Sequence, residues 1–136
     1  MILRVLVVDD YEPWRRFVCS TLEKQTSLQV IGEVSDGLEA VQKAQELQPD
    51  LILLDIGLPT LNGVEAAKRI RQISPAAKIL FASQNDDQDI VRAALATGAQ
   101  GYLLKANGKS ELLPAIEAVM RGDRFVTQQL KGQQPG

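Results

Sequence analysis

Histidine is absent from the 136 residues, and cysteine occurs once, as Cys19. The first absence excludes Ser-His-Asp and Cys-His nucleophile systems and histidine metal sites. The second excludes an internal disulfide and a cysteine metal cage; Cys19, beside Val18, reads as a half-buried small hydrophobe. No apolar run approaches the roughly 20 residues that a bilayer span needs. The apolar opening Ile2 to Val8 is too short for a signal peptide and runs into two acids, so it reads as a strand and the chain as cytoplasmic. A net charge of -2 offers no bulk attraction to nucleic acid or anionic lipid. No GxGxxG or Walker spacing surrounds Gly32 or Gly37, so no glycine loop cradles a phosphate. Chemistry in this chain must therefore run on carboxylates, hydroxyls, lysine and an oxygen-loving metal such as magnesium, Mg²⁺.

What is present is ordinary globular composition, 45% apolar and 24% charged, in a length that suits one domain with a real core. Short β-branched runs alternate with longer amphipathic segments. The strand candidates are Leu3–Val8, Gln29–Val34, Leu51–Leu54, Lys78–Ala82 and Gly101–Leu104. The first, third and fourth are nearly all apolar, as strands buried on both faces should be.

Helical stripes lie between and after them: Trp14, Phe17, Val18 and Leu22; Leu38, Val41, Ala44 and Leu47; Val64, Ala67, Ile70 and Ile73; Ile90, Ala93, Ala94 and Thr97; Leu112, Ile116, Val119 and Met120. Asn62 and Asn85 are expected N-caps, and Gly98 and Gly122 expected stops. Pro114 implies a position early in the fifth helix, where a missing N–H is tolerable. The Lys68, Arg69 and Arg71 charges read as the wet face of the third helix.

Five β-α repeats predict a doubly wound α/β domain, a five-stranded parallel sheet with helices on both faces, over residues 1–122. Residues 123–136, rich in Gln and Gly toward the end, read as a tail or the start of a linker.

In an open parallel α/β sheet, sites form beyond the carboxyl ends of the strands. The first strand ends in Asp9-Asp10, the third in Asp55, the fourth in Ser83 and the fifth in Lys105. Singly, each of these residues is commonplace as a turn, a cap or a solvated side chain. Together, at matching strand ends, they are hard to explain as punctuation. Clustered carboxylates repel, and a divalent oxygen-liganded cation is the natural way to hold them. With the charge shielded, one Asp can act as a nucleophile toward phosphorus and form an aspartyl phosphate. Lys105 and Ser83 then supply positive charge and a donor to the phosphoryl oxygens.

The stretches RVLVVDD, LLDIGLPTLNGVEAAKRIR, ILFASQ and GYLLK, at these separations, resemble the response-regulator receiver domain of two-component systems, from about Ile2 to Gly122. The spacing and the GYLLK strand are most similar to the receivers of NarL/FixJ (LuxR-type) regulators. The resemblance implies a flavodoxin-like fold with strand order 2-1-3-4-5. It implies Asp55 as phosphoacceptor, with Asp10, Asp55 and the Gly57 carbonyl as direct Mg²⁺ ligands and Asp9 acting through water. It further implies that Lys105 pairs with the phosphoryl group, that Ser83 moves to bond it, and that Tyr102 is the aromatic partner of that switch. Ala106 follows Lys105 where many receivers have proline, and Gln84 after Ser83 is larger than the residue often found there.

The implied phosphoryl donor is a sensor histidine kinase or phosphotransfer protein. The expectation includes no membrane partner, a monomer or weak homodimer, and a phosphorylated signalling protein rather than an enzyme. Two other readings compete. An aspartate-nucleophile phosphotransferase or phosphatase would carry a second Asp two residues after the nucleophile, where Gly57 stands. A receiver-like module that signals without phosphorylation would not need all five site residues.

The acidic balance and the lack of a recognition helix flanked by basic residues predict no specific DNA binding by this chain alone. A gel-shift assay at physiological salt checks this, with no sequence-specific complex expected.

Overall fold

A computed structural model describes residues 1–131. Six strands, β1 (Leu3–Val8), β2 (Leu28–Val34), β3 (Leu51–Leu54), β4 (Lys78–Ser83), β5 (Gly101–Leu104) and β6 (Phe125–Val126), form one sheet ordered 2-1-3-4-5-6. Every neighbouring pair is parallel. The helices are α1 (Glu12–Glu23), α2 (Gly37–Leu47), α3 (Gly63–Ile73), α4 (Gln88–Ala96), α5 (Gly108–Met120) and the short α6 (Gln128–Lys131); a 3-10 turn, Lys105–Asn107, leads into α5.

Strand alternation divides the core in two. Leu6, Val8, Ile52, Leu54, Ile79, Phe81 and Tyr102 point to the face that buries α2, α3 and α4. Val5, Val7, Leu51, Leu53, Leu80, Ala82 and Leu103 point to the face that buries α1 and α5. Strands apolar on both faces are what this two-sided burial demands. No helix among the described residues is long and apolar enough to cross a membrane.

Asn62 caps α3 as expected, its side chain accepting from the Glu65 N–H. Gly98 and Gly122 follow the C-caps of α4 and α5 with φ of +94° and +98°, the left-handed conformation that ends helices. The cap expected at Asn85 falls instead to Asp87, which accepts from the Asp89 and Ile90 N–H groups. An N-cap must reach the first-turn N–H groups, and α4 starts too late for Asn85. Pro114 lies in the interior of α5 rather than near its start; it withholds a donor from the Ser110 carbonyl, and Ser110 is exposed, where water can serve. Leu38 is 43% exposed, and Ala40 and Ala44 carry the buried stripe of α2 instead.

The sheet has six strands among the described residues, not five, the sixth being Phe125–Val126 beyond Gly122. Two residues are too few to show a period, so β6 left no sequence signal. Gly101 makes room for it: a Cβ there would lie 2.7 Å from the Phe125 carbonyl oxygen. Val126 and Leu130 join the buried cluster around Tyr102. The part of the expected tail from residue 132 lies outside the described residues.

Thr127 fastens this segment. It is fully buried; its N–H donates to the Tyr102 carbonyl at 3.1 Å. Its hydroxyl accepts from the Leu104 N–H at 2.9 Å and donates to Glu111 Oε1 at 2.8 Å. Replacing the hydroxyl by a methyl leaves a buried N–H and a carboxylate without their partner. Thr127→Val should therefore unfold in urea with about 1–3 kcal/mol less stability and an unchanged denaturant slope, whereas wild-type stability would contradict this anchoring role.

Candidate functional site

The β1–β3 register sets Val8 opposite Leu54, and the ladder runs one bond further, Asp55 N–H to the Val8 carbonyl at 3.1 Å. The residues after the two strands, Asp9 and Asp55, thus stand side by side at the sheet edge. On the other flank Asp9 N–H donates to the Val34 carbonyl at 3.0 Å. Ser83 pairs with Leu104 across β4 and β5, so Ser83 and Lys105 rise at the same edge.

Short bonds then orient the side chains. Asp9 Oδ1 accepts from the Tyr11 N–H at 2.8 Å, and Asp55 Oδ1 accepts from the Ile56 N–H at 2.8 Å. Lys105 Nζ lies 2.6 Å from Asp9 Oδ2 and 3.5 Å from Asp55 Oδ2. One carboxylate oxygen from each of Asp9, Asp10 and Asp55 falls within 4.8 Å of the others. Asp9 and Asp55 are buried and Asp10 is exposed.

The loop after Asp55 is held close by Gly63. A Cβ there would sit 1.9 Å from the Asp55 carbonyl oxygen, and the Gly63 N–H donates to the Ile56 carbonyl at 2.7 Å. Thr60 in the same loop has φ of 64°, uncommon for a β-branched residue, and its hydroxyl donates to the Pro59 carbonyl.

The site opens into a cavity of about 1020 Å³. Asp10, Asp55, Gly57, Ser83, Gln84 and Lys105 line it, with Tyr11, Trp14 and Phe17 on the α1 side. The structure therefore gathers Asp10 and Asp55 with Ser83, Gly57 and Lys105 around one space, while Asp9 lies buried behind them, against Lys105.

Tyr102, the residue that the resemblance makes Ser83's aromatic partner, lies beneath this edge of the sheet. It is fully buried, its ring centroid is 6.2 Å from that of Phe81, and its hydroxyl donates to the Asn85 carbonyl at 2.7 Å. Burial pushes its phenol above the ordinary range, so it stays a neutral donor. Ser83 Oγ accepts from the N–H of the same Asn85 at 3.1 Å. Arg15, which no sequence signal marked, donates to the Asp9 carbonyl at 2.6 Å and lies 3.5 Å from Glu33. Burial and the nearby Glu33 push the Cys19 thiol up to about 11, so it stays an inert thiol at neutral pH.

Residues 5–117 match the family described as response regulator receiver domain. Response regulator GacA of Pseudomonas viridiflava is 34% identical over 131 residues, 96% of this chain and 61% of that protein. Transcriptional regulatory protein LiaR of Bacillus subtilis is 38% identical over 130 residues, 96% of this chain and 62% of its own length. The chain thus spans about three fifths of those relatives. Among solved structures, a LuxR-family two-component response regulator from Aurantimonas superposes with a TM-score of 0.91 at 31% identity, covering 98% of this chain and 95% of the other. The receiver domain of NarL from Mycobacterium tuberculosis gives 0.84 at 33% identity, covering 89% and 98%.

The oxygen-rich donor set fits Mg²⁺, a hard cation that keeps several waters and takes one or two carboxylates. The Asp9 carboxylate is held between the Tyr11 N–H and the Lys105 ammonium, which leaves the Asp10 and Asp55 carboxylates at the cavity wall.

Burial raises the Asp9 carboxyl above its ordinary range, and Asp55 adds to this, while Lys105 and the Tyr11 N–H pull the other way. A raised folded pKa means that folding favours the protonated acid. The ionised form then costs stability at neutral pH, and the cost fades as pH falls toward the ordinary carboxylate value near ~3.9. In EDTA, Asp9→Asn should therefore melt several degrees above wild type at neutral pH, with the gap closing on acidification. Asp10→Asn should gain less, because solvent screens that exposed side chain. Thermal melts across pH check this; an Asp9→Asn protein less stable than wild type at neutral pH would refute a net cost of burying the charge.

Proposed function

The chain belongs to the response regulator receiver domain family of two-component systems, and from that premise we propose that Asp55 accepts a phosphoryl group from a phosphohistidine on a partner kinase or phosphotransfer protein. The observation that carries this is the place of Asp55. Its carboxylate borders an open cavity, with acids beside it for a cation and Lys105 3.5 Å from its Oδ2. In the transfer an Asp55 oxygen attacks phosphorus as the bond to the donor nitrogen breaks. The Ile56 N–H holds Oδ1 and so steadies the carboxylate.

Asp10, Asp55 and the Gly57 carbonyl would hold Mg²⁺, with Asp9 acting through water. Bound there, the ion would supply neutralisation of the charge shared by the acids and the phosphoryl oxygens. Lys105 pairs with one phosphoryl oxygen. Ser83 moves to donate its hydroxyl to another, giving up the bond it now accepts from the Asn85 N–H. Tyr102 is the second member of that switch. Turnover of free substrate is disfavoured by Gly57, which offers no side-chain acid for a hydrolytic step. The receiver unit is proposed to extend past residue 122 and to include β6 and α6, since Leu130 is buried in the core.

Incubation with phosphoramidate and Mg²⁺, followed by intact mass, should add one phosphoryl group. Asp55→Asn should reduce the label to background, and EDTA should abolish it in wild type. Equal labelling of the Asn variant would remove Asp55 from the role.

A further inference from the structure

Lysine carries a strongly hydrated ammonium on a flexible four-carbon stem, yet the Lys105 side chain is only 14% exposed. Two of its neighbours are the carboxylates of Asp9 and Asp55, at 2.6 and 3.5 Å. The third is an aromatic face: Nζ stands over the Trp14 ring, 5.5 Å from its centroid, inside the range of a cation–π contact.

The ring itself has little freedom. Trp14 is buried, and its centroid is 5.3 Å from that of Phe17. A Cβ on Gly108 would lie 2.8 and 2.9 Å from two of its ring atoms. One indole thus spans from α1 to the first turn of α5, and the chain that carries Lys105 and the ammonium at its end meet the same ring.

We propose that Trp14 is a positioning residue for Lys105: the face of its indole holds the ammonium inside the acid pocket, beside the place where a phosphoryl group arrives on Asp55. The consequence for rate rests on the phosphoryl-accepting role proposed above; the contact itself does not. The two carboxylate partners of Lys105 are the ones that a divalent cation would claim. An indole face is no ligand for a hard oxygen-seeking ion, so it alone among the three neighbours keeps its hold when the acids are engaged. Exclusion from water strengthens that hold.

Trp14 is the sole tryptophan, so biosynthetic replacement by mono-, di- and trifluorotryptophan alters one site. Fluorine withdraws charge from the ring face and leaves its shape nearly unchanged. The rate of Asp55 phosphorylation by phosphoramidate with Mg²⁺ should fall in steps along the series, about three- to tenfold overall. The ε-methylene protons of Lys105 should be shifted upfield by the ring in the unsubstituted protein, and that shift should shrink in the same order while the melting temperature holds. A rate and a proton shift that both stay flat along the series would overturn the inference, whereas a merely packed indole predicts that flat result. If the unsubstituted protein takes no phosphoryl group, the proposed function fails separately. The resonance series then decides alone whether Trp14 holds Lys105, with a stepwise change upholding it and a flat series refuting it.

Discussion

Two buried carboxylates side by side repel, and in this fold they have no means of moving apart. The parallel register places Val8 against Leu54 and carries one bond further to Asp55, so the backbone itself brings Asp9 and Asp55 together. Rotating either side chain away would break the bond from the Tyr11 or the Ile56 N–H. Lys105 answers this repulsion because β5 ends at the same edge, with its ammonium near both acids. Much of the surrounding sequence follows from that one requirement. Gly63 lets α3 press on the Asp55 carbonyl, and Gly108 leaves room for the indole that faces the ammonium.

The contrast with the rest of the molecule locates the site on physical grounds. Elsewhere polar groups find ordinary partners: Asp36, Asn62 and Asp87 cap α2, α3 and α4, and Thr127 satisfies a backbone donor and a carboxylate at once. Among the described residues, the buried side-chain atoms left without a hydrogen bond are Asp9 Oδ2 and Ser74 Oγ. A buried polar atom of this kind marks nothing by itself, since Ser74 closes α3 at the end opposite to Gly63, which meets Asp55. Asp9 differs because a second acid and an ammonium stand beside it. Such arrangements cluster at functional sites, where strain on stability is kept for chemistry.

The strand-end residues were legible because a parallel sheet buried on both faces spells its strands as apolar runs. The first polar residue after each run then marks the carboxyl end of the strand, and Asp9, Asp55 and Lys105 each hold such a place. Other features depend on partners distant in sequence. Phe125–Val126 is too short for a pattern and becomes a strand only because Gly101 admits it. Leu38 fits a helical stripe but projects where α2 has no neighbour to cover it. The Trp14–Lys105 contact joins residues on α1 and after β5, and periodicity within either segment is silent about it. The resemblance supplied Tyr102 as a switch residue, while the bond that ties it to Asn85 belongs to the folded loop alone.

That bond changes how a signal at Asp55 would leave the pocket. Ser83 Oγ grips the Asn85 N–H, Tyr102 grips the Asn85 carbonyl, and the Asn85 side chain accepts from the Asp87 N–H. Asp87 in turn caps α4. Ser83 and Tyr102 are therefore already joined through one residue, with the start of α4 next in line. A hydroxyl drawn toward a charged acceptor on Asp55 makes a stronger bond than the neutral one it gives up. Asn85 would then lose one of the two bonds that tie it to β4 and β5, and the tyrosine hydroxyl would be the remaining one. A fully buried ring has no room to swing while that bond lasts. On the proposed reading the first consequence would fall on the loop and the α4 cap, and movement of Tyr102 would come second, once Asn85 had let go. Hydrogen-bonded contact alone is not coupling. What would make this chain of bonds a switch rather than a brace is the second arrangement proposed for Ser83, toward a phosphorylated Asp55 instead of Asn85.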